Sequence, residues 1–317
     1  MSEPQLSIVV VTRDRSARLE RLLNSLARQT APASALEVIV VDDASSDETA
    51  ALLTLTAPTT ELELKSISVR ARPGIAELRN IGWRAARAAH VAFIDDDCEA
   101  TEGWAAAILA AIEDEPERGF QGRTTPSPSE LAGAGPMTRS KLIEEAGPWY
   151  QTCNIAYPRE LLERLGGFDA RYRVAGEDTD LGWRAREAGA AIAYLPAAHV
   201  HHAVERIRIA AWIAVARRER LLAPLFRDHR GLREQVASVG VFKGAQRSLF
   251  VIAVLALIAA RRHRLALLAA MPYARLLAAR CRAVDAGPGW ACWYVAYDAI
   301  AFAYAAHGAT ESRSFFI

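Results

Sequence analysis

The sequence reads Val91-Ala92-Phe93-Ile94-Asp95-Asp96-Asp97 at the end of its first third: four apolar residues and then three carboxylates. A short apolar run of this kind predicts a buried strand. Adjacent carboxylates repel each other unless a cation joins them, and Mg²⁺ and Mn²⁺ prefer carboxylate and diphosphate oxygens. The stretch therefore predicts a strand that ends at a metal site. A solvated acidic loop is the equal alternative for the triplet taken alone.

The same pattern occurs twice earlier in the chain. The apolar run Leu6–Val11 ends at Thr12–Arg15, and the run Leu36–Val41 ends at Asp42-Asp43. Apolar residues recur at helical spacing between the runs, so strands and helices alternate along the first hundred residues. This order predicts an α/β domain with a mainly parallel sheet, and such sheets place their sites at the carboxyl ends of the strands. All three polar clusters fall at those ends.

Later segments add further candidates. Residues 116–147 are rich in Gly, Pro and Ser, which predicts a long surface loop of the kind that covers active sites. A helix over about 177–187 begins with the acidic run Gly176–Asp180. Helical positions spread around the axis, so only one or two of these carboxylates can face a pocket, where one could act as a general base. The alternative is an acidic helix N-terminus that the helix dipole favours.

Three histidines, His199, His201 and His202, lie within four positions of each other. Their spacing matches no zinc finger, and a histidine here could complete a metal or diphosphate site or belong to the core. No P-loop, G-x-G-x-x-G, G-x-S-x-G or H-E-x-x-H pattern occurs, which counts against P-loop NTPases, Rossmann dehydrogenases, α/β-hydrolases and zincins.

Charge divides the chain into two parts. Residues 1–202 contain 21 Lys or Arg and 30 Asp or Glu, a net of −9, whereas residues 203–317 contain 17 and 7, a net of +10. The tail also has apolar runs at Leu249–Ala260 and Trp290–Ala306, both shorter than the ~20 residues that span a bilayer. Basic flanks beside such runs fit helices lying in a membrane interface, with a small helical bundle packed on the first domain as the even alternative. Long aliphatic runs argue against a nucleic-acid partner.

The cysteines are sparse, and none has C-x-x-C spacing. They predict reduced thiols in a cytoplasmic protein. The short polar N-terminus shows no secretory signal.

Six segments in this order resemble motifs of glycosyltransferase family 2, the inverting nucleotide-sugar transferases with the GT-A fold. The resemblance covers about residues 5–205, and Leu78 departs from it by replacing a small residue. The segments are Leu6–Arg15, the V-D-D-x-S-like Val41–Ser45, the A-R-N-x-G-like Gly74–Gly82, the DxD-like Ala92–Asp97, the acceptor-side pair Asn154–Tyr157 with Leu165–Asp169, and the E-D-like Gly176–Asp178.

The resemblance implies a GT-A, Rossmann-like mixed sheet with helices on both faces over residues 1–205, followed by a helical region over 206–317. It implies Asp178 as the catalytic base. It further implies roles for three groups of residues. The nucleotide-sugar group is Thr12, Arg15, Asp43, Arg79 and Asp96; the metal group is Asp95, Asp97 and His201, preferred over His202; the acceptor-side group is Trp149, Asn154 and Glu177.

The implied activity is metal-dependent, inverting transfer of a sugar from a nucleotide-diphosphate sugar to an acceptor hydroxyl. We expect Mn²⁺ or Mg²⁺ as cofactor, a UDP-sugar as the favoured donor, and a glycan, lipid-linked or small-molecule acceptor in bacterial glycan, glycolipid or cell-surface polysaccharide synthesis. The protein is expected in the cytoplasm, peripheral on the inner membrane surface. A nucleotide-sugar-binding module without turnover is the alternative.

Overall fold

The computed structural model describes residues 3–56, 61–132, 134–238, 241–314 and 316. The strands in this part of the chain are β1 (Leu6–Thr12), β2 (Leu36–Asp42), β3 (Glu63–Ser68), β4 (His90–Ile94), β5 (Cys98–Ala100), β6 (Gly119–Pro126), β7 (Thr138–Arg139), β8 (Asn154–Pro158), β9 (Ile192–His202), β10 (Glu205–Arg206), β11 (Ala237–Ser238) and β12 (Phe242–Lys243).

The helices in the same ranges are α1 (Ser16–Ala27), α2 (Thr49–Thr56), α3 (Ile75–Arg84), α4 (Trp104–Asp114), α5 (Pro128–Leu131), α6 (Arg159–Leu165), α7 (Glu177–Glu187), α8 (Ile209–Arg217), α9 (Ala223–Asp228), α10 (Arg230–Val236), α11 (Gly244–Ala259), α12 (Met271–Ala283) and α13 (Trp290–Glu311). The chain divides into two compact units. The first comprises Met1–Leu131 and Ser140–Val204, and the second comprises Ala132–Arg139 and Glu205–Ile317.

The first unit is built on an eight-stranded sheet in the order β3-β2-β1-β4-β8-β6-β9-β5. Strands β3, β2, β1 and β4 are parallel to one another. Strand β8 is antiparallel to β4 and β6, β6 is parallel to β9, and β5 is antiparallel to β9. The mixed sheet with its helices, and the helical C-terminal region, confirm the expected fold class. The parallel half brings the polar ends of β1, β2 and β4 to one edge.

Burial explains why the parallel strands were visible in the sequence. Every residue of β2 and β4 is buried, as is nearly all of β1, and helices cover the sheet through residues such as Leu22 and Trp104.

One glycine sets the distance between helix and sheet. A Cβ on Gly82 of α3 would lie 2.4 Å from Val9 Cγ1, so a side chain there would push the helix away from β1.

The predicted surface loop at 116–147 is wrong for its first part. Strand β6 lies inside the sheet, between β8 and β9. The strand can be both polar and buried because its polar groups form hydrogen bonds within the protein. Gln121 Nε2 donates to the Asn154 carbonyl at 2.7 Å, and Thr124 is fully buried. A strand whose polar side chains are satisfied internally does not show the apolar pattern that predicts burial.

The second unit is a set of helices around its own apolar core, together with the two-stranded antiparallel pair β7–β10 and the short hairpin β11–β12. Trp212, Phe250, Tyr273 and Tyr294 form the core. The buried carboxylate of Asp298 links three helices, because it accepts hydrogen bonds from Gln246 of α11, from Tyr273 and Arg280 of α12, and itself lies on α13. Within the described residues, no helix is long and apolar enough to cross a membrane.

Candidate active site

Hydrogen bonds to Asp96 join the carboxyl ends of β1 and β4. The Thr12 hydroxyl donates to one Asp96 oxygen at 2.8 Å, and Arg15 Nη1 donates to the other at 3.1 Å. Because β1 and β4 are parallel neighbours, the residues that follow them reach the same edge. Burial raises the pKa of Asp96 to about 6, although the positive charge of Arg15 opposes this shift. Three of the residues expected to bind the nucleotide sugar therefore contact each other.

Asp97 has one oxygen paired and one without a hydrogen bond. Arg15 Nη1 donates to Asp97 Oδ2 at 2.9 Å. The other oxygen, Oδ1, is buried and has no hydrogen-bond partner among the described residues, and His202 Nε2 lies 3.4 Å from it. Cys98 Sγ also lies close, since ligand atoms of Asp97, Cys98 and His202 are all within 4.8 Å of one another.

Asp97 and His202 form a donor set that fits a hard divalent cation. Carboxylate oxygen and imidazole nitrogen are both ligands that Mn²⁺ accepts, and a buried oxygen with no hydrogen bond is satisfied by a cation. Cys98 Sγ instead donates a hydrogen bond to the Cys153 carbonyl at 3.6 Å. Sulfur is a soft ligand that Mn²⁺ and Mg²⁺ do not prefer, so we leave Cys98 out of the set.

The structure places His202, rather than His201, next to Asp97. His201 Nδ1 and His199 Nε2 lie 3.1 Å and 2.8 Å from the hydroxyl of Thr125, on the other face of β9. Successive side chains of a strand point to opposite faces, so only one of the two neighbouring histidines can reach the carboxylate. The expected metal role of His201 is thus corrected by the direction of its side chain.

Asp95 is held between two cations. Its Oδ1 accepts a hydrogen bond from Arg79 Nη2 at 3.2 Å, and its Oδ2 lies 3.6 Å from Lys141 Nζ. Burial acts to raise the pKa of Asp95, but Lys141 and Arg79 outweigh it and hold the pKa well below its usual range. Both oxygens face cations in this structure, and the expectation that Asp95 binds the metal directly stays a prediction.

Lys141 is a site residue that the sequence did not indicate. It lies in the segment expected to be a surface loop, where a single lysine carries no signal. Burial acts to lower its pKa, but Cys153, Asp95 and Asp178 raise it well above the ordinary value, so the side chain stays an ammonium group. Lys141 therefore adds a positive charge close to both Asp95 and Asp178.

Arg79 connects Asp95 to the start of α7. Besides Asp95, it forms a buried ion pair with Glu177, the first residue of that helix. Burial acts to lower the pKa of Arg79, but the carboxylates of Glu177, Asp95 and Asp178 raise it. Burial and the neighbouring Asp178 raise the pKa of Glu177, while the pair with Arg79 opposes the rise. Arg79 pairs with Oε1 of Glu177 alone; Oε2 is buried with no hydrogen-bond partner among the described residues, so the acceptor-side role of Glu177 stays a prediction.

The candidate base Asp178 follows Glu177 on the first turn of α7. It is half-buried, and its Oδ1 accepts hydrogen bonds from the Thr179 amide at 2.7 Å and the Thr179 hydroxyl at 3.3 Å. That hydroxyl also donates to the carbonyl of Trp149 at 2.9 Å. Trp149, expected on the acceptor side, is therefore fastened to the helix that carries Asp178.

Asp43 lies at the end of β2, beside Thr12. Its amide donates to the Thr12 carbonyl at 3.0 Å, and its Oδ2 lies 3.5 Å from Arg13 Nη1. Its Oδ1 is buried with no hydrogen-bond partner in the described part of the chain. A buried acceptor in that state can receive an N–H from a ligand.

Asn154 does not face the site. It is 1% exposed, and its amide bonds to the sheet and to α4: it accepts from Trp104 Nε1 at 2.9 Å and donates to the carbonyls of Arg123 and Ala198 at 2.8 Å each. A side chain with all these bonds made has none to offer an acceptor, so the expected acceptor-side role of Asn154 is corrected to a structural one.

The motif residues Asn80 and Gly167 are structural as well. Asn80 donates to the Phe168 carbonyl and accepts from its amide, both at 2.8 Å, and so holds the Gly166-Gly167 turn against α3. Gly167 has φ +74°, and a Cβ there would lie 2.4 Å from Asn80 Oδ1. Two sequence motifs far apart in the chain thus meet as one packing unit.

Comparison with known families agrees with this geometry. The family model described as Glycosyl transferase family 2 matches residues 7–176, more than half of the chain. The chain belongs to glycosyltransferase family 2. The matched segment includes Thr12, Asp43, Arg79 and the carboxylates that follow β4, and it ends at Gly176, the residue before Glu177 and Asp178.

Relatives in family 2 act on varied substrates. A pre-mycofactocin glycosyltransferase of Mycobacterium tuberculosis is 28% identical over 233 residues, which is 67% of this chain and 45% of that protein. A validoxylamine A glucosyltransferase of Streptomyces hygroscopicus is 28% identical over 220 residues, 57% of this chain and 51% of that protein. The chain thus spans about half the length of these curated relatives.

Solved structures share the fold. The mannosyltransferase PcManGT of Pyrobaculum calidifontis, solved with GDP-Man and Mn²⁺, superposes with a TM-score of 0.60 at 22% identity, covering 97% of this chain and 88% of that one. Residues 1–349 of TarS of S. aureus, solved with UDP-GlcNAc, give 0.55 at 17% identity, covering 96% and 92%. At these identities the likeness shows the fold alone.

Proposed function

We propose that this protein transfers a sugar from a nucleotide-diphosphate sugar to an acceptor hydroxyl. One observation carries the proposal: the carboxylates after β4 meet Arg15, Arg79, Lys141 and His202 at the edge where β1, β2 and β4 end. Such a mixture of paired carboxylates and cations suits a diphosphate with its metal ion. The Mn²⁺ and nucleotide sugars bound by the structural neighbours support the same ligand class.

In this proposal Asp97 and His202 hold the Mn²⁺ or Mg²⁺ ion. Bound there, the ion would neutralise the charge that the diphosphate gains as it leaves. Asp43 accepts a hydrogen bond from the nucleoside through its unpartnered Oδ1, and the contact between Thr12 and Asp96 keeps the adjacent loop in place. A UDP-sugar remains the favoured donor.

Asp178 is the residue to which we assign removal of the proton from the acceptor hydroxyl. A carboxylate that takes the proton from an acceptor hydroxyl lets the oxygen attack the anomeric carbon from the face opposite the diphosphate, and this inverts the configuration. Arg79 and Lys141 lie close enough to Asp178 for its charge to raise their pKa values. These two cations favour anionic groups beside Asp178.

The acceptor is a glycan, a lipid-linked sugar or a small molecule, and bacterial glycan, glycolipid or surface-polysaccharide synthesis is the setting we propose. We place the protein in the cytoplasm, peripheral on the inner membrane, because its tail is basic and apolar. The second candidate is a nucleotide-sugar-binding module without turnover. The acidic start of α7, with Asp178 half-buried beside two cations, favours the enzyme.

Calorimetric titration with UDP, GDP and dTDP, each with and without Mn²⁺, tests the donor site. We expect one nucleotide to bind, with Mn²⁺ raising its affinity. Failure of all three to bind would contradict the proposal and leave only the fold in common with family 2.

A further inference from the structure

The second unit exposes large apolar side chains at the end of α11 and in the 3₁₀ helix Arg264–Ala270 that follows it. Six large side chains with exposed fractions between 47% and 80% define this apolar patch: Leu255, Leu257, Ile258, Leu265, Leu267 and Leu268. Scattered exposed leucines are ordinary on protein surfaces, but six within fourteen positions are not. A surface of this kind marks a place where a partner binds.

Helix α11 is apolar on both sides, although only one side is covered. Phe250, Ala253 and Ala256 are buried, and the first two pack with Tyr273 in the core of the second unit. The opposite side carries Leu255 and Ile258, whose exposed fractions are 59% and 60%. An apolar helix face normally packs against something, and within the described residues nothing covers this one.

The surroundings of the patch are strongly basic. Arg261, Arg262, His263 and Arg264 separate its two halves, and all four are exposed. From residue 235 to residue 284 the sequence contains eight Lys or Arg and no Asp or Glu. Lys243 and Arg247 pair with Glu219, and Arg280 pairs with Asp298, which leaves five exposed arginines. The partner must therefore offer negative charge as well as an apolar interior.

We propose that the apolar patch docks on the surface of an anionic lipid bilayer. The leucines enter the boundary between headgroups and acyl chains, while Arg261, Arg262 and Arg264 bind the lipid phosphates. Apolar burial combined with basic residues is the arrangement that holds interfacial helices on anionic membranes.

A second copy of the chain fits this surface poorly. A two-fold interface would bring the same arginines against each other, and the segment has no carboxylate to neutralise them. A bilayer supplies both the apolar layer and the phosphates. The inference sharpens the peripheral location within the proposed function, but it does not depend on the catalytic residues.

Vesicle flotation of the whole 317-residue chain tests the proposal. We expect binding to vesicles of phosphatidylcholine with phosphatidylglycerol and little binding to phosphatidylcholine alone. The variant R261Q/R262Q/R264Q should lose affinity by about tenfold or more, because each arginine near the surface contributes. The variant L257Q/I258Q/L265Q should lose a similar factor on the same vesicles. The control R28Q/K65Q/R164Q removes three exposed cations from the first unit and should bind as the parent protein does.

Two results would overturn the proposal. One is equal binding of the parent protein, the patch variants and the control. The other is a dimer in light scattering that L257Q/I258Q/L265Q dissociates, together with no vesicle binding by the parent protein. Nucleotide binding is measured on the same samples, and both patch variants should keep it. Loss of vesicle binding with nucleotide binding intact thus separates this inference from the donor-site proposal.

Discussion

Arg79 forms a buried ion pair with Glu177, the residue directly before the candidate base, and its other nitrogen donates to Asp95. One arginine on α3 thereby fixes the distance between the end of β4 and the start of α7. The end of β4 carries carboxylates that we assign to the donor site, and the start of α7 carries the base that we assign to the acceptor. Their relative position depends on a side chain that takes part in neither the transfer of the proton nor the binding of the metal.

Removal of one partner from this pair should destabilise the protein. Glu177→Gln leaves Arg79 buried with less negative charge around it, and we expect the free energy of unfolding to fall by about 3 kcal/mol. The matched control is Glu163→Gln, which removes an exposed partner of Arg159 and should cost less than about 0.5 kcal/mol. Urea denaturation measures both variants. Equal effects would show that the buried pair contributes no more than a surface pair.

The two neighbouring histidines provide an internal control for the metal site. We expect His202→Gln to weaken Mn²⁺ binding by about tenfold or more, since even the residues that support metal ligands contribute about 10- to 100-fold to metal affinity. His201→Gln changes a side chain that points to Thr125 and should leave Mn²⁺ affinity unchanged. Titration of Mn²⁺ in the presence of the bound nucleotide distinguishes them. A larger effect for His201 would restore the assignment that the family resemblance implied.

Lys141 should act on the diphosphate rather than on the nucleoside. We expect Lys141→Met to weaken UDP binding by about tenfold, since one charge-assisted contact is lost, and to leave the binding of uridine unchanged. Lys65→Met removes an exposed lysine on β3 and serves as the control. If UDP and uridine lose the same factor, Lys141 supports the shape of the cleft and does not contact the phosphates.

The stability of the first unit should depend on pH through Glu37. This buried carboxylate accepts hydrogen bonds from Ser7 and Arg87; burial acts to raise its pKa, but these bonds lower it below the ordinary 4.5. A lowered pKa means that the stabilisation is present above pH 4.5 and is lost as the pH falls through the folded-state pKa. Glu37→Gln should therefore be less stable at pH 7, by about 1–3 kcal/mol.

The difference between Glu37→Gln and the parent protein should shrink below pH 4.5. Thermal unfolding between pH 3.5 and pH 7 follows it. A difference that stays constant over that range would mean that the ionised form of Glu37 is not what stabilises the fold.

Sequence patterns predicted β1, β2 and β4 because these three strands are almost entirely buried and contain few polar residues. The sequence pattern did not predict β6 as a strand, because this strand buries polar residues, Gln121 and Thr124. The contacts of Thr12, Arg15 and Asp96 followed from strand order, because parallel strands end at one edge. No local pattern could do the same for Lys141, which reaches Asp95 from a distant segment.

The sequence also could not predict the direction in which individual side chains point. His201 and His202 are neighbours on β9, and spacing alone does not say which face meets Asp97. Asn154 belongs to a motif-like segment, but its amide forms hydrogen bonds with Trp104 and two backbone carbonyls. Both corrections come from contacts between strands that lie far apart in the chain.

The central claim is that Asp178 is the base of a sugar transfer. The most direct measurement compares the parent protein with Asp178→Asn in two assays: UDP affinity with Mn²⁺, and release of UDP from a UDP-sugar when water is the acceptor. We predict unchanged affinity, within about twofold, and a rate lower by about 10²-fold or more. A variant that releases UDP at the parent rate, or that no longer binds UDP, would contradict the assignment.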